Sequence, residues 1–226
     1  TVSSTGVDSF TIDVALLDYW ESLKPITFGA AASGSRLPTP DFPDWSGMER
    51  FEPIPGTGYY LPLIYLPQAA GLWLGRALEL GIDPSYRLAR WPTLLTTTGL
   101  LVLAFHWLPP NALVLGLLAL PMAVFQSASA AIDGLCLALT ACAIAGFLTL
   151  RSDPDKAGGT VLAVWGLILI VLVGARLNLA PLLLLPAILS LTRPRWDQAL
   201  VTAITMTAVA AWVLHAAGQV VDLRTA

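Results

Sequence analysis

The chain has 226 residues, of which 56% are hydrophobic and only 12% charged, with a formal net charge of −3. Ordinary soluble domains are roughly 25% charged, and a soluble protein this apolar would lack the polar surface to cover its core. The small acidic balance forms no basic run or stripe, which excludes nucleic acid as a partner. The totals fit an all-α integral membrane protein.

Residue 1 is Thr and nothing beside it has the basic flank and apolar core of a signal peptide. The expectation is a piece of a longer protein or a processed chain. Residues 1–58 differ from the rest and hold most of the acids: Asp8, Asp13, Asp18, Glu21, Asp41, Asp44, Glu49 and Glu52. Within 8–23, Ile12, Ala15, Leu16, Tyr19 and Leu23 recur at helical spacing, which predicts a short amphipathic helix at an interface. The stretch 38–45 (PTPDFPDW) reads as extended or turn-like, because each proline pushes its predecessor out of the helical region. Residues 1–58 are therefore expected to form a mostly irregular water-side cap.

From Tyr59 onward the chain becomes apolar. YYLPLIYLPQ leads into a helix ending near Leu80, and 81–90 reads as a short polar connector carrying Arg87 and Arg90. Apolar runs follow at about 92–108, 111–126, 129–150, 160–176, 178–191 and 199–217. Several fall short of the ~20 residues of a perpendicular span, and Pro- or Gly-broken spans are tolerated where backbone lines a cavity. The expectation is a polytopic bundle of about six membrane helices over 59–217, with a short polar tail at 218–226. With the cap and Asp133 on one side, the connectors with Arg151/Lys156 and Arg193/Arg195 share the other, which the positive-inside rule makes cytoplasmic. The reverse orientation, with Arg76, Arg87 and Arg90 inside, scores almost as well.

Four residues in these runs carry or can carry charge: His106 and His215 near run ends, Asp133 and Arg176 at breaks. A charged group in hydrocarbon costs roughly 2.5–3.5 kcal/mol on insertion scales, so such residues face a cavity or a partner. In LALPMAVFQSASAAIDG a proline breaks one helix, small hydroxyl residues follow and Asp133 opens the next. Two readings stand: a helix end capped by Ser127 or Ser129 with Asp133 at the positive end of the dipole, or a polar pocket at the membrane surface. In GARLNLAP, Arg176 and Asn178 stand between apolar runs. Arg176 either snorkels to headgroups or offers its planar donors to a lipid phosphate. Tyr65 and Gln68 at a helix entrance, with Arg87 and Arg90 downstream, either anchor the interface or touch substrate. The only cysteines, Cys136 and Cys142, fall on different helix faces and read as small buried hydrophobes, neither disulfide nor metal site. No HExxH, Walker-type loop, GxSxG or zinc-spaced set occurs, and no cofactor or metal is expected.

The succession YYLPLIYLPQAAGLWLGR, RLARWPTLL, LALPMAVFQSASAAIDG and GARLNLAPLLLLPAIL resembles a bacterial family of predicted polytopic membrane proteins related to the GT-C superfamily of glycosyltransferases. The resemblance covers about 59–191, and its Pro-Met…Ser-x-Ser…Asp block is the most specific part. It implies a multi-pass protein of the bacterial cytoplasmic membrane that takes a sugar from a polyprenyl-phosphate donor. It also implies a large loop outside the cytoplasm after a first membrane helix, with residues 1–58 as the later part of that loop. The acidic Asp-Glu-x-x-His-like motif that would supply the base is not recognisable, and Arg176 stands where lysine is frequent. The alternative from the residues alone is a non-catalytic membrane subunit packed against protein partners. The substrate and lipid-phosphate candidates are Arg176, Asn178, Asp133, Ser129, Arg90, Tyr65 and Gln68.

Overall fold

The computed structural model describes residues 9–28, 44–53, 60–153, 158–192 and 195–217. The residues around Pro38–Pro43, together with Lys156, Arg193 and the 218–226 tail, lie outside them. Strand β1 (Ser9–Asp13) runs into helix α1 (Val14–Phe28), and β1 pairs antiparallel with β2 (Glu49–Pro53) in register from Ser9↔Pro53 to Asp13↔Glu49. The helix expected over 8–23 therefore starts only at Val14. Extended pairing with β2 claims the first residues, Ile12 among them, and the helical spacing is kept only from Ala15 onward. The described part of this region thus contains a paired strand beside its helix.

A 3-10 turn (Pro62–Tyr65) opens α2 (Leu66–Ala77), which folds back on α3 (Ile82–Trp107). The stretch 81–90, expected as a connector, is the start of α3. Its polar groups are satisfied locally: Asp83 pairs with Arg87 one turn on at 2.7 Å, and the buried Ser85 hydroxyl donates to the Gly81 carbonyl at 2.8 Å. Pro84 lies in the first turn, where a missing N–H costs nothing. Packing supplies the rest. A Cβ on Gly71 would sit 2.4 Å from the Ala89 Cα, and one on Gly75 would sit 2.4 Å from the Ser85 hydroxyl. The two backbones meet at van der Waals contact through paired small residues, as in close-packed membrane helices.

Beyond α3 come α4 (Ala112–Leu118), α5 (Pro121–Ala128), α6 (Ile132–Ser152), α7 (Gly159–Ala175), a second 3-10 segment (Leu177–Leu183), α8 (Leu184–Thr192) and α9 (Trp196–Ala217). The runs expected at 111–126 and 178–191 are not single helices. Pro121 lacks the N–H needed to continue α4 and restarts the chain as α5, while Pro181 sits in the tighter 3-10 turn. Among the described residues, three helices are long and apolar enough to cross a membrane: 82–107, 132–152 and 196–216. Helix α7 and the 177–192 segment are apolar but shorter.

Helices α3 and α6 run in the same direction. The Cys142 thiol donates to the Leu100 carbonyl at 2.9 Å, and the Thr149 hydroxyl donates to the Trp107 carbonyl at 2.8 Å, the same step along both helices. The intervening α4 and α5 must therefore return along their full length. The core lies between α6 and α7, where Leu139, Cys142, Leu162, Leu169 and Leu172 are buried and Trp165 Nε1 donates to the Ala143 carbonyl at 2.9 Å. Both cysteines are buried and free, as read from their spacing.

Candidate functional site

Where α6 begins, α7 ends. Asp133 occupies the first turn of α6 and Arg176 the residue that closes α7, in extended backbone (φ −143, ψ 90) that turns the chain into the 3-10 segment. The acid lies at the positive end of one helix dipole and the base at the negative end of the other. Each charge suits its own helix, and the two form an ion pair through Arg176 Nη2 and Asp133 Oδ1. Neither is sealed away, with side-chain exposures of 30% for Arg176 and 43% for Asp133.

The surroundings of Arg176 come from three parts of the chain. The ring of Tyr60 lies under the guanidinium at 5.9 Å, within cation–π range. It is held there because Leu61 N donates to the Gly174 carbonyl at 2.8 Å, and a Cβ on Gly174 would press the Leu61 side chain at 3.0 Å. The Cys136 thiol, one turn beyond Asp133, lies against the guanidinium, and Tyr65 stands within its electrostatic reach. Arg176 Nε is buried with no hydrogen-bond partner among the described residues. The cation thus has an aromatic floor, one acid and an unused donor.

Beside this cluster an apolar cavity of about 300 Å3 opens between the start of α2 and helices α3, α6 and α7. Leu63, Ile64, Pro67, Leu100, Leu135 and Leu139 contribute to its wall. Ile64 and Leu135 are chain neighbours of Tyr65 and Cys136, but the cluster residues themselves do not line the cavity. A second apolar cavity, of about 310 Å3 between α3, α4 and α6, likewise has no charged residue in its wall.

The candidates from sequence divide into two groups. Arg176 and Asp133 meet directly, and Tyr65 stands beside them. Ser129 ends α5 at the same end of the bundle, but neither it nor Ser127 caps α6. Their hydroxyls donate backwards, to Gln126 at 2.9 Å and Ala123 at 2.8 Å, and the residue preceding α6 is Ala131, which offers no side-chain cap. Gly134 explains the tight junction, since a Cβ there would lie 2.7 Å from the Gln126 carbonyl. Asn178 is exposed on the 3-10 segment.

Gln68 and Arg90 are elsewhere. Gln68 is buried, and its amide nitrogen, in the orientation that satisfies it, donates to the carbonyls of Ile64 and Tyr65 at 3.2 and 3.1 Å. Arg90 sits over the Tyr86 ring at 5.3 Å, in the contact between cap and hairpin. His106 and His215 are exposed near helix ends, and no group of three or more His, Cys, Asp or Glu among the described residues could hold a metal. Tyr60 and Cys136 were missed as parts of the site. A Tyr at a helix entrance reads as an interface anchor, and a buried Cys as packing; nothing local says that either adjoins Arg176.

A second polar cluster joins the cap to the hairpin. Asp13 accepts hydrogen bonds from the N–H groups of Ala15 (3.0 Å), Ser46 (3.2 Å) and Gly47 (3.0 Å) and from the Ser46 hydroxyl (2.6 Å). Gly47 takes a positive φ of 67°, which lets the 44–48 loop wrap the carboxylate. Burial alone would raise the Asp13 pKa, but these donors outweigh it and hold the carboxyl below its ordinary value. Nearby the Tyr19 hydroxyl donates to Asp83 at 3.2 Å. Burial, then the Asp83 charge, pushes this phenol up to about 12. The Arg76 guanidinium lies over Trp45 at 5.5 Å.

No curated protein and no solved structure matches the chain. The sequence profile of one family, described as predicted membrane protein (DUF2142), matches residues 48–222. That span contains the hairpin, the whole helical bundle and every residue of the Arg176 cluster. The chain is a member of this family of predicted membrane proteins.

Proposed function

We propose that this protein binds a polyprenyl phosphate in the bacterial cytoplasmic membrane, with the phosphate at Arg176 and the first isoprene units in the cavity beside it, as the lipid-binding part of a GT-C type glycosyltransferase. The observation that carries the reading is a partly exposed arginine whose Nε has no partner among the described residues, on a helix end whose preceding turns, with Ile64 and Leu135, line an apolar cavity. A guanidinium takes a phosphate through paired donors, and an apolar cavity takes a hydrocarbon tail. In this reading the broken α4–α5 pair, α7 and the 177–192 segment complete six crossings with α3, α6 and α9. Sugar transfer from such a lipid would depend on electrostatics: an acid activates the acceptor hydroxyl and cations hold the departing phosphate. Arg176 supplies one such cation.

A specific observation also favours the second reading, a non-catalytic subunit. Asp133, the acid nearest the cavity, is engaged by Arg176 rather than poised as a base. In that case the same lipid site would serve a partner's chemistry.

The test is binding to the full chain in detergent, with farnesyl monophosphate, farnesol and phosphatidic acid as probes, read by native mass spectrometry. Farnesyl monophosphate should bind and farnesol should not, and phosphatidic acid should compete poorly if the cavity selects the isoprenoid tail. Arg176→Leu should weaken binding about ten- to a hundredfold, as expected for losing hydrogen bonds to a charged group. Arg176→Lys should retain part of it, since the charge survives and the fork does not. Equal affinity in wild type and Arg176→Leu rejects the phosphate site.

A further inference from the structure

We infer that Asp133 is a resident competitor for the oxyanion site of Arg176: the chain closes the site with its own carboxylate, and a lipid phosphate opens it by exchange. The inference rests on the lipid-phosphate reading above and concerns how that site is regulated. Asp133 presents to the guanidinium what a phosphate would present, an anionic oxygen, but it engages only Nη2. Arg176 Nε stays buried and without a partner among the described residues. A phosphate with three acceptor oxygens can span both positions, whereas a carboxylate anchored on a helix end takes one.

Three features make exchange easy. Neither side chain is sealed inside the bundle, with exposures of 30% and 43%, and an ion pair reachable from outside is exchanged more easily than a fully buried one. Released Asp133 is not stranded, because it remains in the first turn of α6, where the helix dipole favours an anion. Arg176 does not depend on Asp133 for its position. It is held from below by the Tyr60 ring, itself fixed by the bond from Leu61 to Gly174. Ligand binding therefore leaves the floor of the site in place and changes only the partner of the guanidinium.

The experiment compares wild type, Asp133→Asn, Asp133→Ser and Arg176→Leu as full chains in nanodiscs of zwitterionic lipid, titrated with farnesyl monophosphate. Removing the competitor should tighten binding about two- to fivefold in both Asp133 variants. Two substitutions of different size guard against a local packing effect. Unchanged or weaker binding in both, with Arg176→Leu still impaired, overturns the competitor role and leaves the site standing. Undiminished binding in Arg176→Leu overturns the site itself.

Discussion

Asp13 and Tyr19 set the conditions under which the cap stays docked. The donors around Asp13 lower its pKa in the folded chain, so its contribution is complete above the ordinary aspartate value of about 4 and is lost as pH falls through the depressed folded value. Tyr19 works in the opposite sense. Its folded pKa of about 12 exceeds the ordinary value near 10, so its contribution is present below about 10 and is lost as pH rises towards 12. Protection of the amides in residues 44–53, relative to the intrinsic exchange rate at each pH, should therefore fall at both extremes and stay high between them. Asp13→Ala should give the low acid-side protection already at neutral pH, and Tyr19→Phe should remove the alkaline step. Neither cluster could be read in advance, because Asp13 and Ser46, or Tyr19 and Asp83, are far apart in the chain. Arg176 and Asp133 were recognisable as charges at breaks in apolar runs, with Asp133 or the N-terminal loop as the expected surroundings of Arg176; the antiparallel packing of α6 and α7 selected Asp133.

At the level of elements, the α2–α3 hairpin depends on absent side chains. Gly71 and Gly75 permit an approach that any Cβ would block, with the nearest Ala89 and Ser85 atoms at 2.4 Å. Gly71→Leu should cost about 1–3 kcal/mol by overpacking, seen as a lower midpoint of thermal unfolding in detergent. Gly99→Leu is the control. No atom lies within 4 Å of its Cβ position, so the midpoint should hold or rise slightly. A comparable drop for both would mean that the close approach at Gly71 is not what governs the hairpin. The sequence alone made 81–90 a connector because Asp83, Ser85, Arg87 and Arg90 are polar. The same residues are compatible with a helix that emerges from the bilayer. At 1.5 Å per residue, the 26 residues of α3 reach about 39 Å, beyond a hydrocarbon core of about 30 Å.

For the whole molecule, the parallel course of α3 and α6 fixes which features share an end. The cap touches the start of α3 through Tyr19 and Asp83, and Asp133 lies at the start of α6, so cap and Asp133 occupy one end while Arg151 occupies the other. In intact cells, single cysteines at Ser46 and Ser129 should label from the same side and one at Ser152 from the opposite side. Labelling of Ser152 together with Ser46 would sink this arrangement. Because the native cysteines are buried, they should contribute little background.

Composition and the length of the apolar runs were enough to determine a helical membrane protein, because burying a hydrogen-bonded backbone in lipid permits little else. They also marked Asp133 and Arg176 as the residues to watch, since charge in such runs needs compensation. The break at Pro121 is local chemistry, but the helix boundaries at Val14 and Ile82 were decided by tertiary structure, through strand pairing and glycine contacts. So was the cluster itself. Tyr60, Arg176 and the α6 pair Asp133 and Cys136 come from three separate segments, and only the meeting of one helix start, one helix end and the turn at Pro62 places an acid and an aromatic floor around a single cation.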